Sequence, residues 1–81
     1  MYKVLGKLRV GKIYCVSVEG DTFSLKNGLE LVDEKGNKFE IKTVGMTHYQ
    51  KVDDFLRYAD IVLSGDVENI GETLYPVIYQ R

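Results

Sequence analysis

Closely spaced turn signals constrain this sequence more than any other feature, because they leave segments too short for ordinary helices. Asn27-Gly28 and the stretch Asp33–Asn37 contain residues that tolerate a positive φ, and Asn-Gly is a strong hairpin signal. Around them lie TFSL, LELV and KFEIKTV, which are rich in β-forming residues and begin at positions 22, 29 and 38. The pattern predicts three short strands joined by tight turns.

The N-terminal stretch YKVLGKLRV alternates apolar and basic residues with the period of two that is typical of a half-buried strand. The residues that we expect on its buried face are Tyr2, Val4, Leu8 and Val10. The basic residues that we expect on its opposite face are Lys3, Lys7 and Arg9.

The next stretch, KIYCVSVEG, has apolar residues on both faces of a predicted strand. Tyr14, Val16 and Val18 share one face, and Ile13 and Cys15 share the other. We therefore expect both faces to be covered near the start of this strand, with Cys15 as a buried core thiol; the alternative is a reactive or intermolecular thiol. A single cysteine cannot form an internal disulfide.

Two later segments, ADIVLSG and TLYPVIYQR, predict the remaining strands, and Pro76 indicates an edge position or a bulge in the last one. The 81 residues make a single domain, residues 1–81. With about six strands and no long crossover helix, the chain is predicted to be all-β, a small closed antiparallel barrel of the Greek-key type. The residues expected to face its interior are Leu29, Leu31, Phe39, Ile41 and Ile61.

The segment KVDDFLRYADIV departs from this alternation. Its apolar residues recur at helical spacing, and an aspartate, Asp53 or Asp54, is suited to cap the start of a helix. One short helix near residues 52–59 is the first interpretation. The second is an ordered connection that places Phe55 and Leu56 over the open end of the barrel.

From Thr22 to Pro76 the order of motifs resembles domain 2 of the translational GTPases, the β-barrel that follows the nucleotide-binding domain in elongation factor Tu. The four steps that carry the resemblance are Leu25-x-x-Gly28-Leu29-x-Leu31, Lys42-Thr43-Val44-Gly45-Met46, Tyr58-Ala59-Asp60 and Gly71-Glu72-Thr73-Leu74. The resemblance implies the same barrel as a stand-alone domain, with a binding role related to translation.

The chain differs from this family at the places that carry the family's chemistry. It contains no G-x-x-x-x-G-K-[ST] loop, so we expect no nucleotide hydrolysis. Elongation factor Tu has a glutamate that helps to hold the 3′ end of aminoacyl-tRNA, and the matching position here is Thr47.

The sequence contains no recognisable pattern of catalytic or metal-binding residues. His48 is the single histidine, which provides neither a pair of metal ligands nor an argument for a Ser–His–Asp arrangement. Asp53 and Asp54 are adjacent, so their side chains point in different directions on a helix or a strand. We expect no catalytic residue, no metal and no cofactor, and a protein that is not an enzyme.

The hydropathy of the chain predicts a cytoplasmic protein that makes no contact with membranes. No run of about 18 apolar residues could span a bilayer. The N-terminus alternates, whereas a signal peptide has a continuous apolar stretch.

Charge is distributed unevenly along the chain, although its formal net charge is −1. Residues 1–18 contain four basic residues and no acidic one, whereas residues 52–74 contain six acidic residues and one basic. Opposite poles of this kind allow two copies of the chain to associate head to tail or across a two-fold axis.

Two binding functions fit this distribution. The first is a non-catalytic module that binds a protein partner or a second copy of itself. Its candidate residues are His48, Tyr49, Lys51, Asp53, Asp54, Phe55 and Arg57. The alternative is binding of RNA or a ribonucleoprotein, with phosphate contacts and base stacking. Its candidate residues are Lys3, Lys7, Arg9, Lys12 and Tyr14.

Overall fold

A computed structural model describes residues 1–45 and 57–77 of the chain. Its six strands are β1 (Tyr2–Val10), β2 (Ile13–Gly20), β3 (Glu30–Asp33), β4 (Lys38–Gly45), β5 (Tyr58–Ser64) and β6 (Thr73–Pro76). Two single turns of 3-10 helix, Thr22–Ser24 and Val67–Asn69, lie between strands. None of the described residues forms a helix long and apolar enough to cross a membrane.

All neighbouring strands are antiparallel, and the sheet closes on itself in the order β1-β2-β5-β4-β3-β6. Strands β3, β4 and β5 are consecutive neighbours, and β2 crosses over to lie beside β5, which is a Greek-key connection. The predicted fold class, a closed antiparallel barrel of six strands, is therefore confirmed.

The predicted interior of the barrel is also confirmed. Leu31, Phe39, Ile41 and Ile61 are buried, and Leu29 is half-buried and packs against them. The other apolar residues of this core are Tyr2, Val16, Val18, Leu25, Ala59, Leu63, Val67 and Leu74. Because side chains alternate along a strand, a slip of one residue would turn this whole set toward solvent, so the core fixes the register.

The segment TFSL is not a strand, contrary to the prediction. Thr22–Ser24 forms a 3-10 turn in which the Leu25 N–H donates to Thr22 O at 3.2 Å. The Ser24 hydroxyl donates to the Asp21 carboxylate at 2.9 Å, a local contact that favours a turn over an extended strand. Leu25 still reaches the core, at the end of the turn.

The predicted faces of β1 are wrong beyond its fourth residue. The pairing of β1 with β2 shifts between Val4 and Gly6, which marks a β-bulge. A bulge inserts one residue and so exchanges the two faces of the strand after it. Tyr2 is buried as predicted, but Leu8 and Val10 are 64% and 62% exposed.

The start of β2 is less covered than predicted. Ile13 is 55% exposed, and Cys15 is half-buried instead of being a core thiol. Val16 and Val18 are fully buried, as expected for the inner face of this strand. The difference arises because the partner of this end of β2 is the part of β1 that follows the bulge.

The predicted helix near residues 52–59 is wrong at its end: Arg57 is helical, but Tyr58 and Ala59 are the first two residues of β5. Ala59 is buried in the core opposite Val18, a position that only the extended strand allows. Residues 52–56, and with them the alternative of Phe55 and Leu56 over the barrel end, lie outside the described residues.

The carboxylate of Asp33 joins the turn after β3 to the segment before β6. One oxygen, Oδ1, accepts the N–H groups of Lys35 at 3.0 Å and of Asn37 at 2.8 Å. The other, Oδ2, accepts the Asn37 side-chain amide at 3.0 Å and the Gly71 N–H at 2.9 Å. Desolvation raises the pKa of this buried carboxyl, but the hydrogen bonds from Asn37, Gly71 and Lys35 outweigh it, so its pKa is lowered.

The next residue, Glu34, extends the same connection. Its carboxylate accepts the N–H of Glu72 at 2.6 Å and that of Thr73 at 3.1 Å, and these bonds lower its pKa. A Cβ atom at position 71 would collide with this carboxylate, so the close approach requires Gly71. We call the contacts of Asp33 and Glu34 with residues 71–73 the closure contacts.

Truncation of the core will reduce stability strongly. Leu31→Ala is expected to lower the free energy of unfolding by about 2 to 5 kcal/mol, because the side chain is fully buried and leaves a cavity. The matched change Leu8→Ala on the exposed face is expected to cost less than about 0.5 kcal/mol. Chemical denaturation followed by circular dichroism measures both. Equal losses would contradict the burial assigned to β1 after the bulge.

The closure contacts make stability dependent on acid. Folding lowers the pKa of Asp33 and Glu34, so their stabilisation is present above the unfolded pKa of about 4 and is lost as the pH falls through the folded values. In Asp33→Asn, an NH2 group replaces one of the two carboxylate oxygens. Because each oxygen accepts two N–H groups, the NH2 group faces two donors in either orientation of the amide. We expect a loss of about 1 to 3 kcal/mol at pH 7.

Urea denaturation between pH 7 and pH 2.5 checks this prediction, with Glu72→Gln as the control on an exposed carboxylate of the same segment. The wild-type and Asp33→Asn curves should converge at low pH, while the control should follow the wild type throughout. A difference between Asp33→Asn and wild type that stays constant with pH would contradict the assigned role of the charge.

Candidate functional site

The predicted partner-binding cluster lies mostly outside the described residues. The members to which this applies are His48, Tyr49, Lys51, Asp53, Asp54 and Phe55. Arg57 is described, and it is exposed immediately before β5.

The predicted basic face of β1 is not continuous. Lys3 lies opposite Glu19 and points outward, whereas Lys7, after the bulge, lies opposite the buried Val16 and shares its inner face. Arg9 follows Lys7 on the same face, opposite Tyr14. The bulge therefore separates Lys3 from the two later basic residues, which the alternation in the sequence had placed together.

Lys7, Arg9 and Tyr14 meet around Glu68, in the 3-10 turn after β5. The Lys7 ammonium donates to Glu68 O at 2.6 Å, and the Tyr14 hydroxyl donates to Glu68 Oε1 at 2.7 Å. The guanidinium of Arg9 is 3.5 Å from the same carboxylate. The sequence suggested the three β-strand residues but not Glu68, since nothing in its local pattern connects it with β1.

This arrangement changes what Tyr14 can offer. The Arg9 guanidinium lies 5.8 Å from the centroid of its ring, and the hydrogen bond to Glu68 raises the pKa of its hydroxyl. Bases stack on the faces of aromatic rings, and Arg9 occupies one face of Tyr14. Tyr14 is thus a structural link between the hairpin and Glu68, and Lys12, in the turn between β1 and β2, is exposed beyond it.

The opposite, outer face of the β1–β2 hairpin carries an exposed apolar surface. It consists of Leu8, Val10 and Ile13, with the half-buried Cys15 beside Leu8 in the paired register. We call these four residues the hairpin patch. Sequence reasoning missed the patch because it assigned the first two residues to the core. The glycine at position 6 was the signal for a bulge.

A pocket of about 300 Å³ adjoins the hairpin patch. Its lining residues are Gly6, Lys7, Leu8, Cys15, Ser17 and Asp60. A Cβ atom at Gly6 would meet no atom within 4 Å, so the missing side chain leaves this space open. At the pocket wall the Ser17 hydroxyl donates to the Asp60 carboxylate at 2.6 Å.

The pocket lacks the features of an activated nucleophile. Burial raises the pKa of the Cys15 thiol, and the charge of Asp60 raises it further, so the thiol stays protonated at neutral pH. The Ser17 hydroxyl is hydrogen-bonded to the Asp60 carboxylate, and the described residues include no histidine that could act as a base for this hydroxyl. Among the described residues, no group of three or more His, Cys, Asp or Glu side chains is arranged to hold a metal ion.

Comparisons with known proteins do not assign the chain to a family. No family model matches it, and none of the curated proteins or solved structures compared with it matches. The likeness to domain 2 of the translational GTPases therefore remains a resemblance of sequence motifs.

Proposed function

We propose that this protein is a non-catalytic binding module that contacts another protein through the hairpin patch. The observation that carries the proposal is the exposure of three large aliphatic side chains, Leu8, Val10 and Ile13, on one face of a two-stranded hairpin. Contiguous exposed apolar surface of this kind marks interaction sites in soluble domains.

The geometry of the hairpin supports this use. Its inner face is held against the barrel by the contacts of Lys7 and Tyr14 with Glu68. The outer face is thereby presented in a fixed orientation, which lowers the entropy lost when a partner binds. The adjoining pocket gives the surface a concave element into which a partner side chain fits.

The charge around the hairpin selects the kind of partner. Lys3, Lys7, Arg9 and Lys12 lie in or beside β1. Among the described acidic residues near them, Glu68 contacts Arg9 and Tyr14, Glu19 lies opposite Lys3, and Asp60 lines the adjoining pocket, so the four basic residues outnumber these three acidic ones. An excess of positive charge favours a partner with acidic residues around an apolar contact. A second copy would bring the same positive groups together, so the proposed partner is a different protein.

RNA binding is the alternative, and two observations count against it. The bulge divides the basic residues between two faces, and the Arg9 guanidinium lies over one face of the Tyr14 ring. Single-stranded nucleic acid is bound by a positively charged groove that follows the backbone, together with aromatic faces on which bases stack.

Affinity capture with a matched pair of variants tests the proposal. Leu8→Asp with Ile13→Asp places two charges in the hairpin patch, whereas Tyr75→Asp places one on an exposed residue of β6, on another wall of the barrel. Proteins captured from an extract of the source cells by the wild type and by Tyr75→Asp, but lost with the double variant, are then purified. We expect one of them to bind in calorimetry at least tenfold more weakly to the double variant.

Two further experiments test the competing partners. Size-exclusion chromatography with light scattering measures the oligomeric state, and a titration measures the affinity for RNA. A dimer of the wild type that dissociates in the double variant would identify a second copy as the occupant. Micromolar binding of labelled single-stranded RNA at about 50 mM salt, abolished by Lys7→Glu with Arg9→Glu, would favour the alternative. A partner whose affinity is equal for the double variant and the wild type would also contradict the proposal.

A further inference from the structure

We propose that residues 6–10 of β1 bind an extended acidic segment of the partner as an added strand. This inference rests on the proposed function, and it specifies the way in which the partner is held. The binding element is the edge of β1 that faces away from β2, which we call the free edge.

The free edge arises because β2, on one side of β1, is longer than β6, on its other side. Strand β1 pairs with β2 as far as Val10, but with β6 only at Tyr2 and Lys3, and the Val4 N–H donates to Glu72 O at 2.8 Å. After the bulge, no described strand pairs with the second edge of β1. An unpaired edge presents main-chain N–H and C=O groups in the arrangement that an incoming strand requires.

The side chains along the free edge alternate in chemistry. Lys7 and Arg9 occupy one face, and Leu8 and Val10 occupy the other, where both are exposed. Residues of an added strand stand beside these positions and follow the same alternation. A segment with acidic residues on one face and apolar residues on the other is therefore complementary to it.

The side chains of Lys7 and Arg9 are held in position by hydrogen bonds, and neither charge is neutralised by a buried carboxylate. Lys7 donates to a neutral carbonyl, Glu68 O, and Arg9 Nε donates to Gly11 O at 2.8 Å. The ion pair of Arg9 with Glu68 is exposed at 3.5 Å and therefore weak. Both cations remain able to attract a carboxylate on a neighbouring strand.

The same charges argue against a second copy at this edge. Antiparallel pairing of two β1 edges would place Lys7 and Arg9 of one molecule against basic residues of the other. Like charges on directly opposed strand positions are destabilising. Charge complementarity therefore selects an acidic strand and disfavours self-association at the same edge.

A defined peptide tests the inference on the full chain. The probe is a fluorescein-labelled eight-residue peptide that alternates glutamate and valine, and its control alternates lysine and valine. In fluorescence anisotropy at about 50 mM salt, where charge contacts are strong, the glutamate peptide is expected to bind at least tenfold more tightly. Lys7→Glu with Arg9→Glu should reverse this preference, and Lys7→Gln with Arg9→Gln should remove it. Circular dichroism checks that each variant is folded.

Main-chain pairing is tested separately from charge. Two further glutamate–valine peptides carry N-methyl groups on the amides of every glutamate or of every valine. Successive amides of a strand point to opposite edges, so one methylated peptide should retain binding and the other should lose at least tenfold. Equal binding of the two methylated peptides would overturn strand addition, as would equal binding of the glutamate and lysine peptides or no binding of either.

The outcomes also separate this inference from the proposed function. A partner protein that is lost with Leu8→Asp and Ile13→Asp, but is not displaced by the glutamate–valine peptide at saturating concentration, would leave the proposed function in place and overturn strand addition. Displacement by this peptide, but not by the lysine–valine peptide, supports both.

Discussion

The structure depends on a buried carboxylate at the place where the barrel closes. Strand β6 has four residues, and it pairs with β1 at two of them, so strand pairing alone provides little closure there. Asp33 and Glu34 supply three further hydrogen bonds, all to main-chain N–H groups of residues 71–73. These bonds hold the start of β6 in register with β3, and the position of the Glu34 carboxylate leaves no room for a side chain at residue 71. Charge-assisted hydrogen bonds at a turn therefore provide the closure that pairing of longer strands provides in larger barrels.

The short closure has a consequence for the rest of β1. Beyond Lys3 the strand has no β6 residue to pair with, and the bulge at Val4 and Gly6 turns its later residues onto the opposite faces. Basic side chains then lie over Glu68, while aliphatic ones face outward. The exposed apolar surface and the unpaired edge thus share one origin. Exposed apolar surface and an unpaired strand edge both promote aggregation of an isolated domain. A binding partner would cover both.

The sequence predicted those parts of the fold in which alternation is not interrupted by a change of register. Leu31, Phe39, Ile41 and Ile61 occupy every second position of such segments, and all four are buried. In β4 the pairing with β5 shifts only after Ile41. The turn at Gly28 was recognisable from the pair Asn27-Gly28, and its φ of +88° is one that favours glycine. Errors occurred where a local contact overrides the pattern, as in TFSL, whose turn depends on a hydrogen bond between Ser24 and Asp21.

The candidate site was harder to predict, for physical reasons. A bulge changes the face of every later residue in the strand but leaves only a glycine as its sign, so Leu8 and Val10 read as core residues. Contacts between residues distant in sequence leave no local pattern. Glu68 meets Tyr14 across 54 positions, and Asp33 meets Gly71 across 38. Sequence patterning therefore identified the barrel but not the surface that it presents.

Amide hydrogen exchange, resolved by residue with NMR, tests the central claim most directly, namely that no described strand pairs with one edge of β1 after the bulge. Amides of β5, which pairs with β2 and β4 on its two sides, should all be protected. Within residues 6–10 only the amides directed toward β2 should be protected, while the others exchange rapidly. Uniform protection of residues 6–10, equal to that of β5, would show that the edge is already covered and would contradict the account.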